Sequence, residues 1–221
     1  YETLITDATC LGCHQRQAKD ISLGFTDVHS ANANIDECKE CHIKTDIHGN
    51  AKTPYKSMFD EGARETACTG FGCHFESGLS AENHAVHNGK LDCSACHVKS
   101  VNTCYNCHMG TMKETGERKA TTVLKDWVFL VNDEKGKVRA GNVQTLTYGD
   151  TTMAVFAPYH SHSVTKTDAR KCGDCHNNAA VQELSSTGKI VATSWSGSAI
   201  TNKTGIIPVV EGKLQFAYLD Y

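Results

Sequence analysis

The sequence predicts a mostly irregular chain with short helices, and with small β-hairpin or sheet elements confined to its C-terminal half. Three observations lead to that expectation. All twelve cysteines of the 221-residue chain fall in six copies of one short word, in which a cysteine pair is followed at once by histidine. Leu, Ile, Val and Phe together account for only 42 residues, a content too low to promise a large aliphatic core. The segments rich in β-branched and aromatic residues come late, beyond residue 120.

The word itself carries the chemistry. It reads Cys-x-x-Cys-His at Cys10/Cys13/His14, Cys38/Cys41/His42, Cys93/Cys96/His97, Cys104/Cys107/His108 and Cys172/Cys175/His176. This spacing is the attachment signal for c-type haem: two thiols add across the haem vinyl groups as thioethers, and the adjacent histidine becomes the proximal iron ligand. A sixth copy, Cys68-Thr-Gly-Phe-Gly-Cys73-His74, has four intervening residues. Gly70 and Gly72 give that loop the backbone freedom to bulge while both sulfurs still reach their vinyl groups. Zinc would require cysteine pairs lacking an adjacent histidine, and a structural disulfide framework would leave the histidines unexplained. The expected cofactor complement is six haem c.

The histidine census supplies a second argument. Of twelve histidines, six belong to the words, which leaves His29, His48, His84, His87, His160 and His162. Six irons need six distal ligands, so supply equals demand, and bis-histidine iron is expected throughout. Met58, Met109, Met112 and Met153 could ligate in principle but read as packing residues. With both axial positions filled by protein, iron has no open site for a substrate, so the chain is read as an electron carrier and not as an enzyme.

A low aliphatic content combined with a net charge of only −3 suggests a core made largely of porphyrin, and a chain that is unfolded without it. Lys and Arg are scattered and outnumbered by Asp and Glu, which argues against nucleic acid as a partner. No apolar run approaches the 18 or so residues of a membrane-spanning helix, so no membrane insertion is expected. Twelve cysteines, the haem words and a first residue that is Tyr rather than Met suggest export with a cleaved signal peptide to the periplasm or the extracellular space.

Along the chain, residues 1–110 form a dense five-haem part and 111–221 a β-containing part with the sixth haem, within one unit. The 11-residue step from Cys93 to Cys104 brings two haems close together. Single helical turns are expected around each word. Trp127 to Val131, Val143 to Tyr148 and Met153 to Phe156 read as strands, separated by turns at Asn132 to Gly136 and at Gly149-Asp150. Cys172 to Leu184 reads as one helix. Lys189 to Trp195 and the pair Ile206 to Val210 and Leu214 to Tyr218, joined by Glu211-Gly212, read as further strands, with Pro208 confining its strand to an edge.

With its six words and six additional histidines, the chain resembles the multihaem c-type cytochromes of anaerobic or metal-respiring bacteria and archaea. The similarity covers residues 10–108 and 160–176. Within that group it is similar to extracellular cytochrome nanowires in its high ratio of haem to chain, all-histidine ligation and little regular structure. That resemblance implies haems stacked in alternating parallel and T-shaped pairs, end-to-end homopolymerisation into a conductive filament for anaerobic respiration, and redox partner proteins or extracellular acceptors. It also implies that a histidine of one subunit can ligate a haem of the next, with the isolated His29 the candidate. The alternatives are a discrete periplasmic or surface carrier, and a multihaem reductase, which would need a five-coordinate haem. The stoichiometry is directly measurable: intact mass should show six covalent haems, whereas five haems with a Cys68–Cys73 disulfide would refute the sixth site.

Overall fold

The computed structural model describes residues 5–30, 37–42, 81–116 and 122–219, together with 48, 49, 52, 54–56, 60, 63, 68, 69, 74, 78 and 79. The chain divides into two compact units, Tyr1–Ala18 with Val28–Gly89, and Lys19–Asp27 with Lys90–Tyr221. The division falls at 89/90 rather than at 110/111, and it assigns three haem words to each unit.

In the first unit the described regular elements are short helices: α1 (Asp7–Cys13), the start of α2 (Gln15–Ser22), α3 (Cys38–Cys41) and α4 (Ala81–His84). Helix α1 begins where Thr9 Oγ1 accepts the Thr6 N–H at 3.4 Å. Helix α3 begins where the Glu40 carboxylate accepts the Glu37 N–H at 3.1 Å. Each device satisfies a main-chain donor that a helix start leaves without an intrahelical partner. The Asp7 carboxylate also accepts the Cys38 N–H at 2.9 Å, so the first two haem words are joined directly.

The second unit is built differently. Helix α5 (Cys93–His97) leads into β1 (Val101–Tyr105) and β2 (Cys107–His108), then α6 (Met109–Thr115) and the long strands β3 (Thr122–Asn132), β4 (Val138–Tyr148) and β5 (Thr151–Pro158). Helices α7 (Cys172–His176) and α8 (Ala179–Thr187) follow, and then β6 (Ile190–Val191), β7 (Thr193–Trp195), β8 (Ile200–Asn202), β9 (Gly205–Pro208) and β10 (Leu214–Gln215). Six strands, β1 to β5 and β9, make one sheet in which β3 pairs with β1, β4 and β9. The β1–β3, β3–β4 and β4–β5 pairings are antiparallel, while β9 joins β3 and β2 joins β4 in parallel.

The hairpin turns use the chemistry their sequences offer. Between β3 and β4 the Asp133 carboxylate accepts the Lys135 and Lys137 N–H groups at 2.9 and 2.8 Å and the Arg139 Nε–H at 2.6 Å, while Gly136 supplies the positive φ of +73°. Arg139 also donates to Asp92 at 2.7 Å, fastening α5 to the start of β4. Trp127, Val128 and Phe129 of β3 are fully buried together with Val101, Tyr105, Val143, Ile190 and Ile207. The Trp127 and Phe129 rings meet edge to face at 4.7 Å, the arrangement that aromatic quadrupoles favour.

The expectation of a mostly irregular chain wrapped on a haem stack is therefore corrected: this is a sheet-rich fold with a side-chain core of its own. The aliphatic count misled because Trp127, Tyr105, Tyr159, Ala140, Ala180 and Ala192 fill much of that core, and none of them was counted. Three local expectations are corrected as well. Cys172 to Leu184 is two helices, because Asn177 leaves helical geometry and the Asn178 side chain caps α8 by accepting the Val181 N–H at 3.0 Å. The strands near 206 and 214 do not pair with each other; β9 joins β3 and β10 joins β6, both in parallel. The word at Cys104 is extended instead of helical, since Val101, Thr103 and Tyr105 alternate into the core.

Gly141 of β4 lies opposite both Phe129 and Pro158. A Cβ there would stand 2.6 Å from the Ala157 carbonyl oxygen and 2.7 Å from Val131 Cγ2. Gly141→Ala should therefore lower the unfolding free energy by about 1–3 kcal/mol, read as a lower denaturant midpoint with an unchanged slope.

Candidate functional site

Four haem words are set on single helical turns: α1, α3, α5 and α7. Residues three and four apart on a helix share a face, so the turn carries two thiols and an imidazole to one side. That is what two thioethers and a proximal ligand on one macrocycle require. The Cys104 word is built otherwise: Cys104 stands exposed on β1, Asn106 turns the chain with a φ of +65°, and Cys107 and His108 run on as β2 beside Leu146 and Thr147. Of the sixth word, Cys68 and His74 are exposed and Cys73 lies outside the described residues.

Two imidazoles on opposite sides of one metal, each bonded at about 2 Å, hold their ring centroids roughly 6 Å apart. In the first unit the His14 and His48 centroids are 5.9 Å apart with planes at 22°, and those of His29 and His74 are 6.2 Å apart at 66°. Each pair joins a histidine of a word to one outside the words. Both histidines that stand isolated in sequence, His29 and His48, are used in this way. His29 thus stands beside a word histidine of its own chain.

In the second unit two of the three word histidines, His97 and His108, lie against main-chain carbonyls. His97 Nδ1 lies 2.7 Å from the Thr165 carbonyl oxygen, and the Thr165 N–H donates back to the His97 carbonyl at 2.8 Å. A carbonyl at Nδ1 selects the tautomer that leaves Nε2 to donate to a metal. His108 faces the opposite way, with Nε2 at 3.1 Å from the Leu219 carbonyl oxygen, so ligation through Nε2 requires that ring to turn over. His42, His84, His162 and His176 are exposed, and His87 and His160 are half-buried.

The His160-Ser161-His162 segment is held by a carboxylate with no counterpart in the sequence reading. Asp20 is fully buried. It accepts from Asn102 Nδ2, from the Tyr159 hydroxyl at 3.0 Å, from Ser161 Oγ at 3.1 Å and from the His162 N–H at 3.3 Å. Burial raises its carboxyl pKa against the opposing pull of those donors. Ser161 Oγ also donates to Ser163 Oγ at 3.1 Å, and Ser163 Oγ in turn donates to the Ser100 carbonyl at 2.6 Å. The distal candidates His160 and His162 therefore flank an anchored residue.

Partial burial disfavours the charged form of three thiols. Cys38 is pushed up to about 12, first by burial and then by Asp7, and burial also raises Cys96 and Cys175. A thioether is neutral, so this environment suits covalent attachment, whereas a metal thiolate would need the charged form that it disfavours. Among the described residues no cluster of three or more His, Cys, Asp or Glu could hold a metal ion. Structural zinc needs four such ligands, while a haem iron needs only two from protein. Among these residues no helix is long and apolar enough to cross a membrane.

No protein family, curated protein or solved structure matches this chain. Asp20 and the Thr165 carbonyl had no local signature, because each acts on residues far along the chain. Asp20→Ala should lower the unfolding free energy by about 1–3 kcal/mol, since it strands the buried Asn102 and Tyr159 donors; denaturant unfolding measures it.

Proposed function

We propose that the chain is an electron-transfer protein carrying six covalent c-type haems, each iron held by two imidazoles. The observation that carries this reading is the pairing of His14 with His48 and of His29 with His74 at 5.9 and 6.2 Å, a spacing that one iron between each pair accounts for. The cysteines of the six words hold the macrocycles, and the histidines of the words serve as proximal ligands. His48 and His29 serve as distal ligands to the first and sixth words, and His84, His87, His160 and His162 complete the set. Bound haem supplies reversible one-electron chemistry at iron. The protein keeps water and substrates off the axial positions and, through carbonyl contacts such as that at His97 Nδ1, makes its ligands better donors.

Since haem c is attached outside the cytoplasm, the proposed location is periplasmic or extracellular. The assembly we propose is an end-to-end conductive filament, which rests on the resemblance of the haem words alone. A discrete carrier is the second reading. It is favoured by the in-chain partner of His29, which removes the need for a ligand from a neighbour, and by the apolar core of the second unit. Electron microscopy of the haem-loaded protein separates the two: filaments support the first, and monodisperse particles at high concentration rule it out.

The ligation is tested independently. Reduced wild-type protein should stay low-spin and bind little carbon monoxide, and rapid stoichiometric binding to even one haem would favour a reductase. His48→Ala should open one haem of the six, giving one high-spin signal and one carbon monoxide site, with the other five unchanged.

A further inference from the structure

Within the second unit, residues 159–171 run along the C-terminal end of α5. The Lys99 N–H donates to the Ser163 carbonyl at 2.9 Å, the Thr165 N–H to His97 at 2.8 Å and the Arg170 N–H to Cys96 at 3.1 Å. The Arg170 side chain completes this wrap. Its Nη1 donates to the carbonyls of Ala95 at 3.3 Å, Cys96 at 3.4 Å and Val98, and its Nη2 to that of Lys99 at 2.9 Å. Several of these are the carbonyls that the end of a helix leaves without main-chain donors. Two residues beyond Arg170, Cys172 begins the next haem word on α7. One residue is thus hydrogen-bonded to the Cys93 word and lies two positions before the Cys172 word.

The charge on this residue is as notable as its bonds. Its side-chain donors all go to main-chain carbonyls. Of the nearby carboxylates, Asp168 pairs with Lys99, and Asp174 accepts the Lys171 N–H at 2.8 Å. Cys175 lies close enough to Cys96 for that sulfur to act on it, and the Arg170 charge acts on both. These two sulfurs become the attachment points of two macrocycles.

Resting on the electron-transfer reading above, we propose that Arg170 positions the two haems attached at Cys93/Cys96 and at Cys172/Cys175 and raises the reduction potentials of both. An electron added to either iron is stabilised by a fixed cation in a half-buried, low-dielectric setting, where Coulomb energies are several times those in water. No bond is made or broken.

The test uses the full chain loaded with haem. Intact mass with peptide mapping first establishes that both words carry haem; if they do not, the electron-transfer reading fails, independently of Arg170. With six haems present, Arg170→Gln should lower the potentials of two haems together. At a fixed electrode potential this is a severalfold fall in their ratio of reduced to oxidised form, while the other four titrate as in the wild type. Arg170→Lys keeps the charge and should hold the two potentials near wild type while lowering thermal stability through the lost carbonyl bonds. Asp174→Asn leaves the guanidinium in place, removes a nearby negative charge and should move the same two potentials upward, so the proposal remains testable if Arg170→Gln does not accumulate. Wild-type titrations in Arg170→Gln, equal shifts in the Gln and Lys variants, a shift spread over all six haems, or no upward shift in Asp174→Asn would each overturn it.

Discussion

Strand β3 is the reference element of the second unit. It is hydrogen-bonded to β1, β4 and β9, and its Trp127-Val128-Phe129 stretch is fully buried. Each haem word of that unit is attached to this frame: α5 packs on β4, the Cys104 word is itself part of β1 and β2, and α7 packs on β9. Words mounted on a sheet with a close-packed core are held more steadily than words on loops, which would serve the electron transfer proposed above. The sheet also explains how one word can dispense with its helical turn. A register set by Val101, Thr103 and Tyr105 in the core leaves Cys104 outside, and Asn106 then redirects the chain.

The first unit reaches ligand geometry by other means. Its described helices are short, and a short helix is marginal on its own. What it shows instead is convergence of side chains: Asp7 on the Cys38 N–H, His14 facing His48, and His29 facing His74. Iron coordination and macrocycle burial would add directional and apolar free energy to such a unit. The two units thus represent two solutions to the same demand, one in which side-chain packing sets the ligands and one in which ligand pairing contributes to the packing.

A buried carboxyl, Asp20, and a half-buried guanidinium, Arg170, organise the region around residues 159–171. Asp20 is surrounded by donors from Asn102, Tyr159, Ser161 and His162, and Arg170 by the carbonyls of Ala95, Cys96, Val98 and Lys99. Among the described residues neither has an ion pair of its own. A charge satisfied only by dipoles keeps its long-range field, whereas a paired charge largely cancels it. Such groups stabilise a fold inefficiently, because desolvation offsets much of what their hydrogen bonds contribute. In the electron carrier proposed above, their value lies in the field that remains.

What the sequence by itself determined is the local chemistry. The covalent haem attachment proposed above needs groups only a few positions apart, and every such group is contiguous in the chain, so six words and a balanced count of remaining histidines can be read without coordinates. The turns at Asp133 to Gly136 and at Gly149, and the strands between them, were legible for the same reason: hairpin signals are local. Tertiary structure alone decided the rest. The apolar count said little about a core built partly from Trp127, Tyr105 and small alanines, and no periodicity indicates that β9 would join β3 while β10 joins β6. His14 and His48, like His29 and His74, are matched by folding, because nothing in their spacing assigns one imidazole to another. Asp20 reaches His162 across 142 residues, and Arg170 reaches Val98 across 72. Contacts over such separations depend on how the whole chain is packed, and local residue patterns carry no record of them.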